Sequence, residues 1–347
     1  MKKIKNVDDW RTLKFNQIID VRSPDEFLED HIPEAINLPI LNNSERSKVG
    51  KIYKQESRIK AKILGASIIS KNISRFLLND LKNTPTHWEY LIYCWRGGQR
   101  SRSLALILNE IGYNVSVLSG GYKNYRSKII QDLKKVSDYK FFVIQGKTGT
   151  GKTKIIQELI KRNAQAIDLE NLAQHRGSLL GKELNVVQPS QKLFESSLHK
   201  NLESFTTSSP IFIESESSKI GKLHLPKNFW HHIKNSKRIS LEVPINERTR
   251  FLIKDYKHLI NNSSLIEPFL KNIRSKVQNE LFSFLLKKVE KKQWKEFVET
   301  VLINYYDPKY EFSHAQNINN VIYSYKLNNF SKKNILELVE KIIQKTN

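Results

Sequence analysis

The chain has 347 residues, 39% of them hydrophobic and 27% charged, which is enough apolar material for two folded cores and excludes a disordered or fibrous chain. Lys and Arg outnumber Asp and Glu by 58 to 35, and the net charge of +23 points to a polyanion, with nucleic acid ahead of a membrane because the basic residues are dispersed. One cysteine excludes intramolecular disulfides and multi-cysteine zinc sites. No apolar run approaches the roughly 20 residues of a membrane span, and the basic start MKKIKNVDDWRT leads into polar residues rather than a signal-peptide core, so a cytoplasmic protein with no membrane partner is expected.

Apolar runs alternate with helical spacing from start to finish, the pattern of an α/β protein. FNQIIDV (15–21), YLIYC (90–94) and NVSVLSG (114–120) read as buried strands. ISRFLLNDLKN (73–83) and RSLALILNEIG (102–112) read as helices, the second stopped by Gly112. The strand YLIYC delivers Cys94, the single thiol, at its C-terminal end, where open α/β sheets bind ligands. The stretch that follows, CWRGGQRS, holds Arg96, Gly97, Gly98, Gln99, Arg100 and Ser101. Two glycines let the backbone curl so that N–H groups point at the sulfur, and the two arginines add positive charge. Both features favour a thiolate and hold an anion beside it, which a buried inert cysteine does not need.

The helical stretch SKIIQDLKKVSD (127–138) leads into a new strand, YKFFVIQ (139–145), and the domain boundary is expected near 130–138. GKTGTGKT (146–153) follows that strand and precedes the helical KIIQELIKR (154–162), the setting of a phosphate-binding loop. Gly146, Thr148, Gly149 and Gly151 shape the cradle, Lys152 neutralises a diphosphate, and Thr153 is expected to face Mg²⁺ if the ion is present. AQAIDLE (164–170), PIFIES (210–215) and RISLEV (238–243) continue the sheet. Asp168, Glu170, Glu214 and Glu216 thereby become candidates for binding Mg²⁺ or for capping the next helix. In HRGS (175–178), His175 and Arg176 are candidates for phosphate or RNA contact. A long helical region is expected from about 246 to 302. Within it FLLKKVEKKQWKEF sets Lys287, Lys291 and Lys295 at i, i+4 and i+8, beside Lys288 and Lys292, as one cationic face with Trp294 free to stack on bases. A second basic stretch, 46–65, lies in the first domain.

Two further stretches carry a resemblance. IIDVRSPDEFLEDHIPEAINLPI (18–40), with Asp20, Arg22, Glu26, His31, Pro33, Ala35, Asn37 and Pro39, resembles the opening signature of rhodanese-like domains. LSGGYKNYR (118–126) resembles the Gly-Gly turn that closes that fold. In that family the cysteine carries sulfur or selenium, and His31 is expected to be structural. The spacing Cys-x5-Arg also fits the loop of cysteine phosphatases, so loop length leaves phosphate hydrolysis open.

Taken together, CWRGGQRS, IYKQ (52–55), LGA (64–66), GKTGTGKT, DLENLAQHRGS (168–178) and ESESSKIG (214–221) resemble bacterial tRNA 2-selenouridine synthases. The resemblance implies a rhodanese-like domain over 1–133, then a P-loop NTPase-like α/β domain over 134–347 with a helical C-terminal region. It implies conversion of wobble 2-thiouridine to 2-selenouridine in Lys, Glu and Gln tRNAs. The substrates would be selenophosphate and geranyl diphosphate, with an S-geranyl intermediate, a selenophosphate-supplying enzyme as partner and no tightly bound cofactor. Two other readings of the residues stand beside it: an ATP-dependent rhodanese-type tRNA sulfurtransferase, and a non-catalytic RNA-binding module.

Overall fold

Two five-stranded sheets, every pairing in them parallel, organise the chain. The structure is a computed structural model that describes residues 3–11, 13–85, 87–177, 181, 186–315 and 318–346. It divides into two compact units. One holds the residues up to Leu133 together with Pro189–Lys200, and the other holds Lys134–Gln188 and the residues from Asn201 on. A single cut between 133 and 134 leaves out the segment Pro189–Lys200, whose Phe194 and Leu198 are fully buried.

In the first unit β1 (Lys5–Val7), β2 (Gln17–Asp20), β3 (Ile36–Asn37), β4 (Glu89–Tyr93) and β5 (Asn114–Leu118) lie in the order β1-β5-β4-β2-β3. Tyr90, Leu91, Ile92 and Tyr93 of the central strand are all fully buried, as expected of a strand covered on both faces. The helix Arg58–Asn79, started by the Ser57 hydroxyl accepting the Lys60 N–H, buries Ala61, Gly65, Ile69, Ile73 and Phe76 as one stripe. The helix Gln99–Ile111 buries Leu104, Ala105 and Leu108 and ends on Gly112 at φ 108°. The 18–40 signature proves architectural. Arg22 and Asp20 form a buried ion pair at 2.6 Å, Arg22 also donates to the Asp30 carbonyl, and its guanidinium lies 3.9 Å from the Tyr122 ring centroid. His31 stacks on Phe27 and bonds its carbonyl.

In the second unit β6 (Lys140–Gly146), β7 (Ala166–Ile167), β8 (Pro210–Glu214), β11 (Lys237–Glu242) and β12 (Val321–Lys326) lie in the order β12-β11-β6-β8-β7. A short antiparallel hairpin, β9 (Lys219–Ile220) and β10 (Leu223–His224), follows β8. The chain leaves β6 towards β7 and β8 and later adds β11 on the other side, so β6 ends at the switch point of the sheet. The helix Lys332–Thr346 closes the core with Leu338, Val339 and Ile342.

One expectation is corrected. The 164–170 strand is only Ala166–Ile167, because Asp168 caps the helix Leu169–Ala173 by accepting the Asn171 N–H at 2.9 Å. The helical region expected at 246–302 is present, as a series that includes Ile245–Asp255, Lys257–Asn261, Glu267–Ile273, Asn279–Glu290 and Trp294–Val301. Pro268 starts a new helix within it, and Lys292 at φ 54° reverses the chain within it.

Arg22→Met leaves the Asp20 carboxylate buried without its counter-charge, a loss on the order of 3–5 kcal/mol. Hydrogen exchange should show protection falling across Gln17–Asp20 and Glu89–Tyr93. Unchanged protection there would mean the pair is dispensable.

Candidate functional site

Cys94 follows β4 directly and is 3% exposed. Its sulfur accepts the Gly98 N–H at 3.2 Å and the Ser101 hydroxyl at 3.3 Å, and the helix Gln99–Ile111 starts beside it. The loop is braced by backbone. Tyr122 N–H donates to the Cys94 carbonyl at 2.8 Å and Lys123 N–H to the Trp95 carbonyl at 3.0 Å. Gly121 sits at φ 59°, and a Cβ there would collide with the Cys94 carbonyl oxygen and the Gly97 nitrogen. The Gly-Gly turn is therefore a structural part of the cysteine loop. Arg100 turns away to Glu26 at 3.0 Å, where Arg46 also binds. Burial works against that carboxylate, but Arg100, Arg46 and the Ser23 N–H hold its pKa down at about 2. The charge of Arg100 is thus neutralised locally, while Arg96 and Gln99 are exposed.

The phosphate loop joins β6 to the helix Lys152–Lys161. Gly149 and Gly151 have φ of 82° and 74°, and a Cβ on Gly151 would lie 2.7 Å from the Phe330 ring. Lys152 Nζ donates to the Gly146 carbonyl at 3.2 Å. Sequence reasoning missed the brace beneath this loop. Arg248, buried in a bidentate pair with Asp307 at 2.7 and 2.8 Å, donates to the Thr148 carbonyl at 3.1 Å. Neither residue belongs to a motif, and only an arginine in an otherwise amphipathic helix hints at it.

The predicted acids converge. Thr153 Oγ1 lies 3.0 Å from both Glu170 Oε2 and Glu214 Oε2, and Glu214 also accepts the Glu170 N–H at 2.8 Å. Burial, then the neighbouring Glu216, pushes Glu170 up to about 7. Burial and the surrounding carboxylates raise Glu214 well above the usual range, and burial raises Glu216 against the pull of Lys152. Asp168 is occupied as a helix cap and accepts the Gln157 amide at 3.0 Å. An all-oxygen set of this kind suits Mg²⁺ that arrives with a substrate phosphate. Among the described residues no group of three or more His, Cys, Asp or Glu forms a ready metal cage.

Thr153, Asp168, Glu170 and Glu216 line a cavity of about 830 Å³ together with His175 and Arg176, while Glu214 is buried behind them. Arg176 pairs with Asp255 at 2.7 Å and His175 accepts the Gly177 N–H; Ser178 of the HRGS stretch lies outside the described residues. A second, apolar pocket of about 70 Å³ adjoins it and shares Thr148, Leu252, Tyr256 and Tyr306. Phe269, Trp294, Phe297 and Val301 line its interior.

The cationic face is corrected. The helix Asn279–Glu290 stops before Lys291, so Lys287, Lys291 and Lys295 do not form one helical stripe. Trp294 is packed edge-on to Phe297 in the helical core, and Lys288 pairs with Glu296. Lys287, Lys291, Lys292 and Lys295 are exposed or at its rim.

The model of the tRNA 2-selenouridine synthase AAA domain matches residues 139–340, and that of the rhodanese-like domain matches 4–128. The chain belongs to the tRNA 2-selenouridine synthase family. Curated members include proteins of Nitrosomonas europaea, 39% identical over 69% of this chain and 63% of that protein, and Nitrosomonas eutropha, 37% identical over 69% and 62%. A synthase of Sulfurovum sp. is 30% identical over 93% of this chain and 96% of its own length. The chain thus spans a little under two thirds of the two Nitrosomonas proteins and nearly all of the Sulfurovum one. Among the described residues no helix is long and apolar enough to cross a membrane.

Raised carboxyl pKa values mean that the folded protein binds more protons than the unfolded chain between about pH 4.5 and 7. Their contribution to stability is present in full below that window and is lost as pH rises through it. Glu214→Gln should therefore stabilise β6 and β8 of the ligand-free protein at about pH 8, by roughly 1–3 kcal/mol. Hydrogen exchange of those strands equal to the parent's would contradict the carboxylate repulsion.

Proposed function

We propose that the chain replaces the sulfur of wobble 2-thiouridine in tRNA with selenium from selenophosphate, by way of an S-geranyl intermediate made from geranyl diphosphate. The observation that carries the reading is the apolar pocket sharing four residues with the phosphate cavity. A phosphate loop beside a polar cleft suits a nucleotide; one beside a dry aromatic pocket suits a diphosphate with a hydrocarbon tail.

In this reading the diphosphate lies on the N–H groups of Gly149–Thr153, and Lys152 takes up the charge that grows as the ester bond breaks. The sulfur of the base attacks the allylic carbon and diphosphate leaves. Alkylated sulfur is then the better leaving group when the selenium of selenophosphate attacks the ring carbon that bears it; geranylthiol departs, and water then cleaves the P–Se bond, releasing inorganic phosphate and leaving selenium on the ring. Selenophosphate supplies selenium already at the selenide level, so the exchange needs no oxidant. Mg²⁺, held by Thr153 and the neighbouring Glu170 and Glu214, would supply charge neutralisation at the diphosphate. The Cys94 loop is assigned to selenophosphate: a helix N-terminus and the Gly98 N–H favour its dianion, and the chain's one thiol is a soft ligand for selenium. tRNA is held mainly through its phosphates, in keeping with the +23 charge.

Lys152→Ala should abolish geranylation yet still convert a tRNA supplied already geranylated, whereas Cys94→Ala should accumulate the geranylated tRNA and lose selenation. Nucleoside mass analysis reads both. tRNA-stimulated ATP hydrolysis without geranylation would favour the ATP-dependent sulfurtransferase instead. Filling the apolar pocket with Val298→Trp should weaken geranyl diphosphate binding at least tenfold and leave inorganic pyrophosphate binding unchanged. Equal losses for both ligands would remove the tail from that pocket.

A further inference from the structure

The 830 Å³ cavity has a wall that neither the phosphate loop nor the acids use. β6 and β11 pair with Arg238 beside Val143 and Ser240 beside Gln145, so Gln145, Arg238 and Ser240 share one face of the sheet. The other face, with Phe142, Ile144, Ile239 and Leu241, is dry core. Gln145 and Arg238 are 3% and 5% exposed, yet both line the cavity. Arg238 Nη1 donates to Gln145 Oε1 at 3.2 Å and Nη2 to the Lys234 carbonyl at 3.1 Å. Arg238 Nε and Gln145 Nε2 are left as buried donors without an acceptor. Among the described residues no carboxylate pairs with Arg238, and burial draws its pKa below the usual arginine value. Trp230 and Lys234, one turn apart on the helix Lys227–Lys234, line the same wall.

This wall offers two donors without partners, two cations and an aromatic face. Its ligand must bring at least two acceptors on a flat ring that stacks on indole. An inorganic anion satisfies the donors but leaves the indole unused. A pyrimidine with two carbonyl or thiocarbonyl groups brings both acceptors on one flat ring. We propose that Gln145, Arg238 and Trp230 form the pocket for the target pyrimidine of the RNA, turned out of its stack, with Lys234 taking the adjoining phosphate. The proposal rests on the tRNA-modifying reading, and it puts the base and the diphosphate in one enclosure within a single unit of the chain.

The test compares two anticodon stem-loop RNAs, one carrying 2-thiouridine at the first anticodon position and one abasic there, binding to the full-length protein. The parent should prefer the thiouridine RNA. Gln145→Leu and Arg238→Met should each weaken that RNA about tenfold and leave the abasic RNA unchanged, while Trp230→Phe binds nearly as the parent does and Trp230→Ala does not. Unchanged affinity for inorganic pyrophosphate verifies that each variant is folded. Equal losses on both RNAs, or none on either, overturn the pocket while leaving tRNA modification standing. A parent that binds neither RNA overturns both.

Discussion

Three carboxylates crowded together away from water are the constraint around which the second unit is built. Glu170, Glu214 and Glu216 repel one another, and each is pushed towards its protonated form. Their surroundings make the crowding tolerable. Glu214 spends its oxygens on the Glu170 N–H and the Thr153 hydroxyl, and Lys152 draws the pKa of Glu216 down. Gly177, at φ 64°, has no Cβ to collide with the Glu216 carboxylate. Such a cluster is costly when empty and becomes favourable when a cationic complex fills it, so ligand binding and local stability are one quantity here.

The first unit handles charge in the opposite way. Asp20 is neutralised by Arg22 inside the fold, and Glu26 by the half-buried Arg100 and the exposed Arg46. What reaches Cys94 is short-ranged: one N–H, one hydroxyl and the start of a helix. The sulfur is thereby held in a fixed orientation by dipoles that cost no reorganisation when an anion arrives. The large positive charge of the chain acts at longer range, on the approach of a polyanion.

The architecture was legible because both loops follow long buried strands and are flanked by glycines whose spacing has a physical meaning. CWRGGQRS and GKTGTGKT stand where the strand-then-loop reading put them, each at the C-terminal end of the middle strand of its sheet. Pairings between distant residues were not legible. Nothing near Arg100 announces Glu26, and nothing near Thr148 announces Arg248 and Asp307, since an ion pair leaves no trace in local spacing. The lysine stripe failed for a related reason. A period of four within 287–295 describes a helix only if the helix continues, and Lys292 in the left-handed region ends that possibility.

The segment Pro189–Lys200 sets a condition on how the protein is made. It belongs to the first unit and buries Phe194 and Leu198, with His199 bonded to Asp132 at 3.0 Å and Arg126 paired to Glu195. On a ribosome the first sheet emerges some 70 residues before the piece that completes its packing, so a stretch of the second unit must be synthesised first. The cysteine-bearing fold is therefore finished only after the phosphate loop has left the exit tunnel, and the fold around the phosphate loop is finished later still, because β11, Arg248, Asp307 and β12 all follow Lys200 in the chain.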